Sequence, residues 1–170
     1  MHTEKTVFLL LGSNLGDRVQ VMQAALELIQ KNVGAVVSAS ALYETAPWGV
    51  LNQPSFLNQV AEVRTLLAPE EVLRIVLETE HELGRVRYER WGARVIDIDI
   101  LFFQDLILDS ARLTIPHPRL HERRFTLIPL AEIAPGYIHP VLGKSSLQLL
   151  KECTDVSDVK LFSQNNSIGD

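Results

Sequence analysis

The sequence predicts an α+β fold: a ferredoxin-like β-α-β-β-α-β sheet with extra short strands and C-terminal helices. Three observations predict it. Strand-like apolar runs alternate with two stretches of helical period in that order. The 170 residues suit one domain spanning 1–170, given the usual ~100 to 200 residues per domain. The composition, 46% apolar and 22% charged, provides a core and excludes wholesale disorder.

Thr6-Val7-Phe8-Leu9-Leu10-Leu11 is a continuous apolar run, expected to end at Gly12, with the pattern of a central strand buried on both faces. After the loop Gly12-Ser13-Asn14-Leu15-Gly16, whose glycines read as turn formers, Val19, Met22, Leu26, Ile29 and Val33 recur at helical spacing. Asp17 stands near the helix start and Gly34 just past its end. Residues 35–43 and 56–66 read as strands joined by a Pro- and Gly-bearing loop long enough to be functional. Pro69 with Glu70 and Glu71 suits a helix start, and the stripe Val72, Val76, Leu83 runs to Gly84. A strand at 95–103, a turn at Gln104-Asp105 and a short return strand at 106–108 follow. Helices are expected at about 122–133 and near 146–153, with the tail from about 154 loose.

No apolar run reaches the ~18 residues of a membrane helix, and the first residues lack a secretion-signal layout, so a cytoplasmic protein without a membrane partner is expected. The single Cys153 excludes an internal disulfide and a multi-thiolate zinc site, and reads as a small buried hydrophobe. The net charge of −5 argues against general attachment to nucleic acid. Its distribution is uneven. Between Arg85 and Arg124 lie eight of the eleven arginines, with no lysine. Guanidinium groups grip phosphate or carboxylate oxygens bidentately, which points to a localised polyanion site; scattered surface ion pairs are the plain alternative.

In Val95-Ile96-Asp97-Ile98-Asp99-Ile100-Leu101 the two aspartates share one face of a strand and the isoleucines the other, with the aspartate Cα atoms roughly 6.5 Å apart. Paired acids there repel unless a cation lies between, and Mg²⁺, which prefers oxygen and takes few protein ligands when phosphate supplies the rest, is a candidate. Solvated acids paired with Arg90 or Arg94 are the alternative. The preceding stretch, Arg85 to Arg94, brings four arginines to the mouth of that strand, the layout of a phosphoryl-transfer site. Neither a P-loop lysine nor a dinucleotide-binding glycine spacing is present.

Arg90-Trp91-Gly92-Ala93-Arg94-Val95-Ile96-Asp97-Ile98-Asp99-Ile100-Leu101 resembles the signature of the 6-hydroxymethyl-7,8-dihydropterin pyrophosphokinase family of folate biosynthesis. Leu11-Gly12-Ser13-Asn14-Leu15-Gly16-Asp17, the stretch from Tyr43-Glu44-Thr45-Ala46-Pro47 to Gln53-Pro54-Ser55-Phe56-Leu57-Asn58, and that from Pro116-His117-Pro118-Arg119 to Arg123-Arg124-Phe125 are similar to it too. The resemblance implies an ATP-dependent diphosphotransferase whose Asp97 and Asp99 hold two Mg²⁺ ions, with ATP as co-substrate. Arg85 and Arg94 would contact the transferred group, and Arg87, Arg90, His117 and Arg123 the triphosphate. Glu80 and the strand edge at Ile100 would lie near the nucleoside. Phe56 and Phe125 would sandwich the pterin; Asn58 and backbone near Thr45 and Trp48 would read its polar edge, and Trp91 would cover it. Asp97 would also lie beside the substrate hydroxyl. Ala46, where members often carry proline, and the bulky Trp48 depart from the pattern. The partners implied are ATP and the pterin alcohol alone, and the chain is expected to be a monomer.

Two rival readings share the fold class. An RNA-binding module would want a basic aromatic third strand, whereas Phe56-Leu57-Asn58-Gln59-Val60-Ala61 is neutral with one aromatic. A ligand-sensing domain without chemistry would not need the aspartate pair. Phe56 and Phe125 could also be ordinary core, and His117 a turn residue.

Overall fold

The computed structural model describes residues 3–45, 55–84 and 95–162. A six-stranded antiparallel sheet has the order β5-β1-β4-β3-β8, with β2 also paired to β4. It is built from β1 (Lys5–Ser13), β2 (Ala35–Ala39), β3 (Tyr43–Thr45), β4 (Phe56–Thr65), β5 (Asp97–Phe103) and β8 (Val159–Leu161). The helices are α1 (Arg18–Asn32), α2 (Pro69–Gly84), α3 (Arg124–Ile133) and α4 (Ser146–Glu152). No helix among the described residues is long and apolar enough to cross a membrane.

The expected β-α-β-β-α-β order is present, and β1 is paired on both sides, by β4 and β5. The sheet is covered on both faces. Val7, Leu9 and Leu11 of β1 pack with Met22, Ala25 and Ile29 of α1 and Val72, Ile75 and Val76 of α2. Phe8 and Leu10 point the other way, into a cluster with Leu127 and Leu130 of α3 and Leu149 of α4. The alternation of one strand thus feeds two cores, and each fully buried Leu, Ile or Phe contributes roughly 1.5–3 kcal/mol.

Three elements differ from the sequence reading. The strand expected at 35–43 ends at Ala39, and a second one begins only at Tyr43; between them the Ser40 Oγ takes the Val60 N–H at 3.0 Å while the Ser40 N–H donates to the Val60 carbonyl. The turn at Gln104-Asp105 forms, with Gln104 at φ 51°, but the next strand, β6 (Leu108–Asp109), pairs with β7 (Thr114–Ile115) in a separate two-stranded sheet and not with β5. The chain from Thr154, expected to be loose, is tied down as far as Phe162: β8 pairs with β3, and the Phe162 N–H donates to the Leu42 carbonyl. Cys153 is half-buried against the α3/α4 core.

Candidate active site

Asp97 and Asp99 start β5, and the parity of the strand does what the alternation predicts. Ile96, Ile98 and Ile100 enter the α1/α2 core, and Leu101 joins the α3/α4 core, so both aspartates face the α3/α4 side. They are half-buried, at the end of the sheet where that core gives way to polar groups. On β4, Val60 points to this same side, and so therefore do Phe56 and Asn58.

Register brings these residues into line. Gly12 lies opposite Asn58 on one side and Asp97 on the other, and Asn58 opposite Tyr43. Asn58 and Asp97 thus flank Gly12 with backbones about 10 Å apart, two inter-strand spacings. Gly12 is not the turn former expected, since β1 continues to Ser13. A Cβ at this position would sit 2.8 Å from Asn58 Nδ2 and 3.9 Å from Phe56 Cδ1, so the missing side chain leaves the floor open beside both. Gly16, at φ 72°, does form a turn, and Asp17 then caps α1 by accepting from the Gln20 N–H.

Thr45 ends β3 opposite Phe56, and its buried Oγ1 has no hydrogen-bond partner among the described residues. Such an oxygen costs free energy until a partner arrives, so it suits the rim of a polar ligand site. Arg18 joins the end of β3 to the start of β4: Nη1 donates to Glu44 Oε2 at 2.9 Å and to the Ser55 carbonyl at 2.8 Å, while Phe162 lies under its guanidinium at 5.5 Å. Nothing in the spacing of the sequence signalled Arg18.

His117 is placed by backbone. Its N–H donates to the Leu101 carbonyl, and its Nδ1 accepts from the Arg119 N–H at 3.1 Å, so the neutral ring carries its proton on Nε2. Burial pushes its pKa down; the Asp99 charge opposes that shift, and Arg123 and Arg119 add to it. His117 is therefore a neutral donor at pH 7 within the field of Asp99 and Arg123. Arg123 occupies the extended residue between a 3-10 turn (Leu120–Glu122) and α3, its guanidinium 5.7 Å from the Phe125 ring centroid. It makes no ion pair among the described residues, which leaves it available to an anion. Phe125, half-buried in the first turn of α3, packs on the core of the aspartate face. Arg123, Phe125 and the residues around them line a cavity of about 530 Å³.

Two expected ligand contacts also have structural duties. Glu80 Oε2 accepts the Ile98 N–H at 2.7 Å and so holds the outer edge of β5 from α2. The Ile100 side chain is buried in the α1/α2 core, so only its backbone could meet a ligand. Trp48, Arg85, Arg87, Arg90, Trp91 and Arg94 lie outside the described residues.

Residues 8–135 match the family described as 7,8-dihydro-6-hydroxymethylpterin-pyrophosphokinase. The chain belongs to this family. As a pyrophosphokinase it is a transferase, and its relatives carry that name. It is 40% identical over 157 residues to the 2-amino-4-hydroxy-6-hydroxymethyldihydropteridine pyrophosphokinase of Aquifex aeolicus, covering 92% of this chain and 95% of the relative. The Bacillus subtilis protein of the same name is 43% identical over 127 residues, covering 74% of this chain and 76% of the relative. A crystal structure of Plasmodium falciparum HPPK-DHPS with pterin and p-hydroxybenzoate matches with a TM-score of 0.73 at 20% identity. The match covers 89% of this pyrophosphokinase but only 43% of the Plasmodium chain, and at that identity it supports the fold alone.

Proposed function

We propose that this pyrophosphokinase transfers a diphosphate group from ATP to 6-hydroxymethyl-7,8-dihydropterin, with two Mg²⁺ ions held by Asp97 and Asp99. The reading rests above all on one observation: Asn58, Gly12 and Asp97 form a single row across the sheet, on the face over which α3 carries Phe125. A flat heteroaromatic fits against Phe56 with its aminopyrimidinone edge on Asn58, which offers donor and acceptor together, and with Phe125 on its other side. Its hydroxymethyl group then extends past Gly12 towards Asp97.

Paired carboxylates are the hard oxygen donors that Mg²⁺ takes, and no third His, Cys, Asp or Glu clusters with them among the described residues, which suits a site completed by phosphate oxygens. Bound there, the ions would neutralise phosphate charge and orient the diphosphate. His117 donates from Nε2 and Arg123 from its guanidinium to the triphosphate; Arg87 and Arg90 add to that grip, and Arg85 and Arg94 contact the transferred group. The substrate oxygen attacks the β-phosphorus and a new O–P bond forms. The bond from the β-phosphorus to the oxygen bridging it to the α-phosphorus breaks, and its electron pair leaves with AMP. The hydroxyl proton departs to water or to Asp97.

The test is product identity. Incubation with ATP, Mg²⁺ and the pterin alcohol should give AMP and the pterin diphosphate in equal amounts; release of ADP would overturn the assignment. We further propose a cytoplasmic monomer of one domain, to be checked by sedimentation of the purified chain.

A further inference from the structure

The first turn of α3 carries Phe125 and follows directly on Arg123; its Thr126 and Leu127 N–H groups donate to the Arg123 carbonyl, yet its leading amide has no cap from the neighbouring side chain. Arg123, in the capping position, gives no side-chain hydrogen bond to the helix. Pro129, inside the helix, has no N–H to offer the Phe125 carbonyl. The Arg124 N–H is instead taken by a carboxylate far along the chain, donating to Asp155 Oδ2 at 2.9 Å. Asp155 is itself fixed, because Ser157 donates both its N–H and its hydroxyl to Oδ1. Desolvation would raise its pKa, but the hydrogen bonds from Ser157 and Arg124 outweigh that and hold the carboxyl below the usual range, so it is ionised beside the positive end of the helix.

The same backbone then reaches the opposite wall of the pocket. In β8, Val159 pairs with Thr45, which in turn lies opposite Phe56. Asp155 also lines the cavity beside Arg123 and Phe125. We propose that Asp155 is a positioning residue for this pyrophosphokinase: by accepting the Arg124 N–H it sets the first turn of α3, and with it the angle at which Phe125 faces the sheet. The inference rests on the reading of Phe125 as a contact of the pterin.

Fluorescence titration of the pterin alcohol into the full chain, saturated with Mg²⁺ and a nonhydrolysable ATP analogue, tests it. Loss of a helix cap commonly costs about a factor of ten in an equilibrium, so Asp155→Ala should weaken pterin binding and raise the pterin KM roughly tenfold, with kcat and the ATP KM within about twofold. Asp155→Asn, which keeps an acceptor oxygen, should recover most of that loss. On a Phe125→Ala background, Asp155→Ala should add less than about twofold, because the two act through one contact. Should Asp155→Ala not fold, Ser157→Ala loosens the same carboxylate and should weaken pterin binding about threefold by loss of a hydrogen bond. Wild-type pterin affinity in the aspartate variant, or in the serine variant where that is the one that folds, overturns the positioning role if Phe125→Ala still weakens binding. A Phe125→Ala variant with undiminished affinity overturns the reading of the pocket itself.

Discussion

The two faces of β5 are opposite in chemical character within one strand. Towards α1 and α2 it presents Ile98 and Ile100, each 4% exposed; towards α3 and α4 it presents Asp97 and Asp99, half-buried among polar neighbours. A strand with period two can bury one row for stability and spend the other on chemistry, provided that an external cation compensates the repelling acids. Stability and turnover should therefore separate cleanly along this strand, and substitutions on either face test that separation.

The largest effect is expected on the acidic face. Asp97→Asn or Asp99→Asn should lower kcat by about a thousandfold or more, roughly 4 kcal/mol of barrier, with a far smaller loss in urea midpoint than a core substitution on the other face. On the other face, Ile98→Ala should cost about 2–5 kcal/mol of stability by leaving a cavity, and should leave the pterin and ATP KM values of the folded enzyme near wild type. Equal losses of activity and stability from both faces would show that the separation fails.

Two smaller effects are expected around Asn58. Gly12→Ala places a methyl group against Asn58 Nδ2 and should raise the pterin KM about tenfold with the ATP KM unchanged, overpacking of this kind costing roughly 1–3 kcal/mol. The smallest is an effect on stability alone. Tyr43 donates its hydroxyl to Glu132 Oε1 at 2.6 Å, and burial together with that carboxylate pushes its pKa up to about 12. The folded value lies above the unfolded one of about 10, so this bond's contribution is complete below pH ~10 and fades as the pH rises towards 12. The difference in urea midpoint between wild type and Tyr43→Phe should shrink over that window; a constant difference would show that the bond does not titrate.

Much of this was legible in the sequence because the signals are local. The order of strands and helices follows from apolar period, the α1 cap from Asp17, and the shared face of Asp97 and Asp99 from strand alternation. What escaped was long-range pairing. Gly12 looked like a turn because its position between Asn58 and Asp97 depends on register with two distant strands. Residues 154–162 looked loose because their partners, the α3 amide and the edge of β3, are far away in sequence. Glu80 was expected at the nucleoside, and only the packing of α2 shows its carboxylate on the β5 backbone. The covering of both sheet faces likewise depends on where α3 and α4 return, which apolar period alone does not fix.

If Asp97 and Asp99 together hold the ions that bind ATP, the number of bound ions depends on both carboxylates. Electron paramagnetic resonance of Mn²⁺ titrated into the full chain with a nonhydrolysable ATP analogue and the pterin alcohol counts those ions directly. Two tightly bound Mn²⁺ are expected in the wild-type protein and no more than one in Asp97→Asn or Asp99→Asn. Two undisturbed Mn²⁺ in both variants would contradict that.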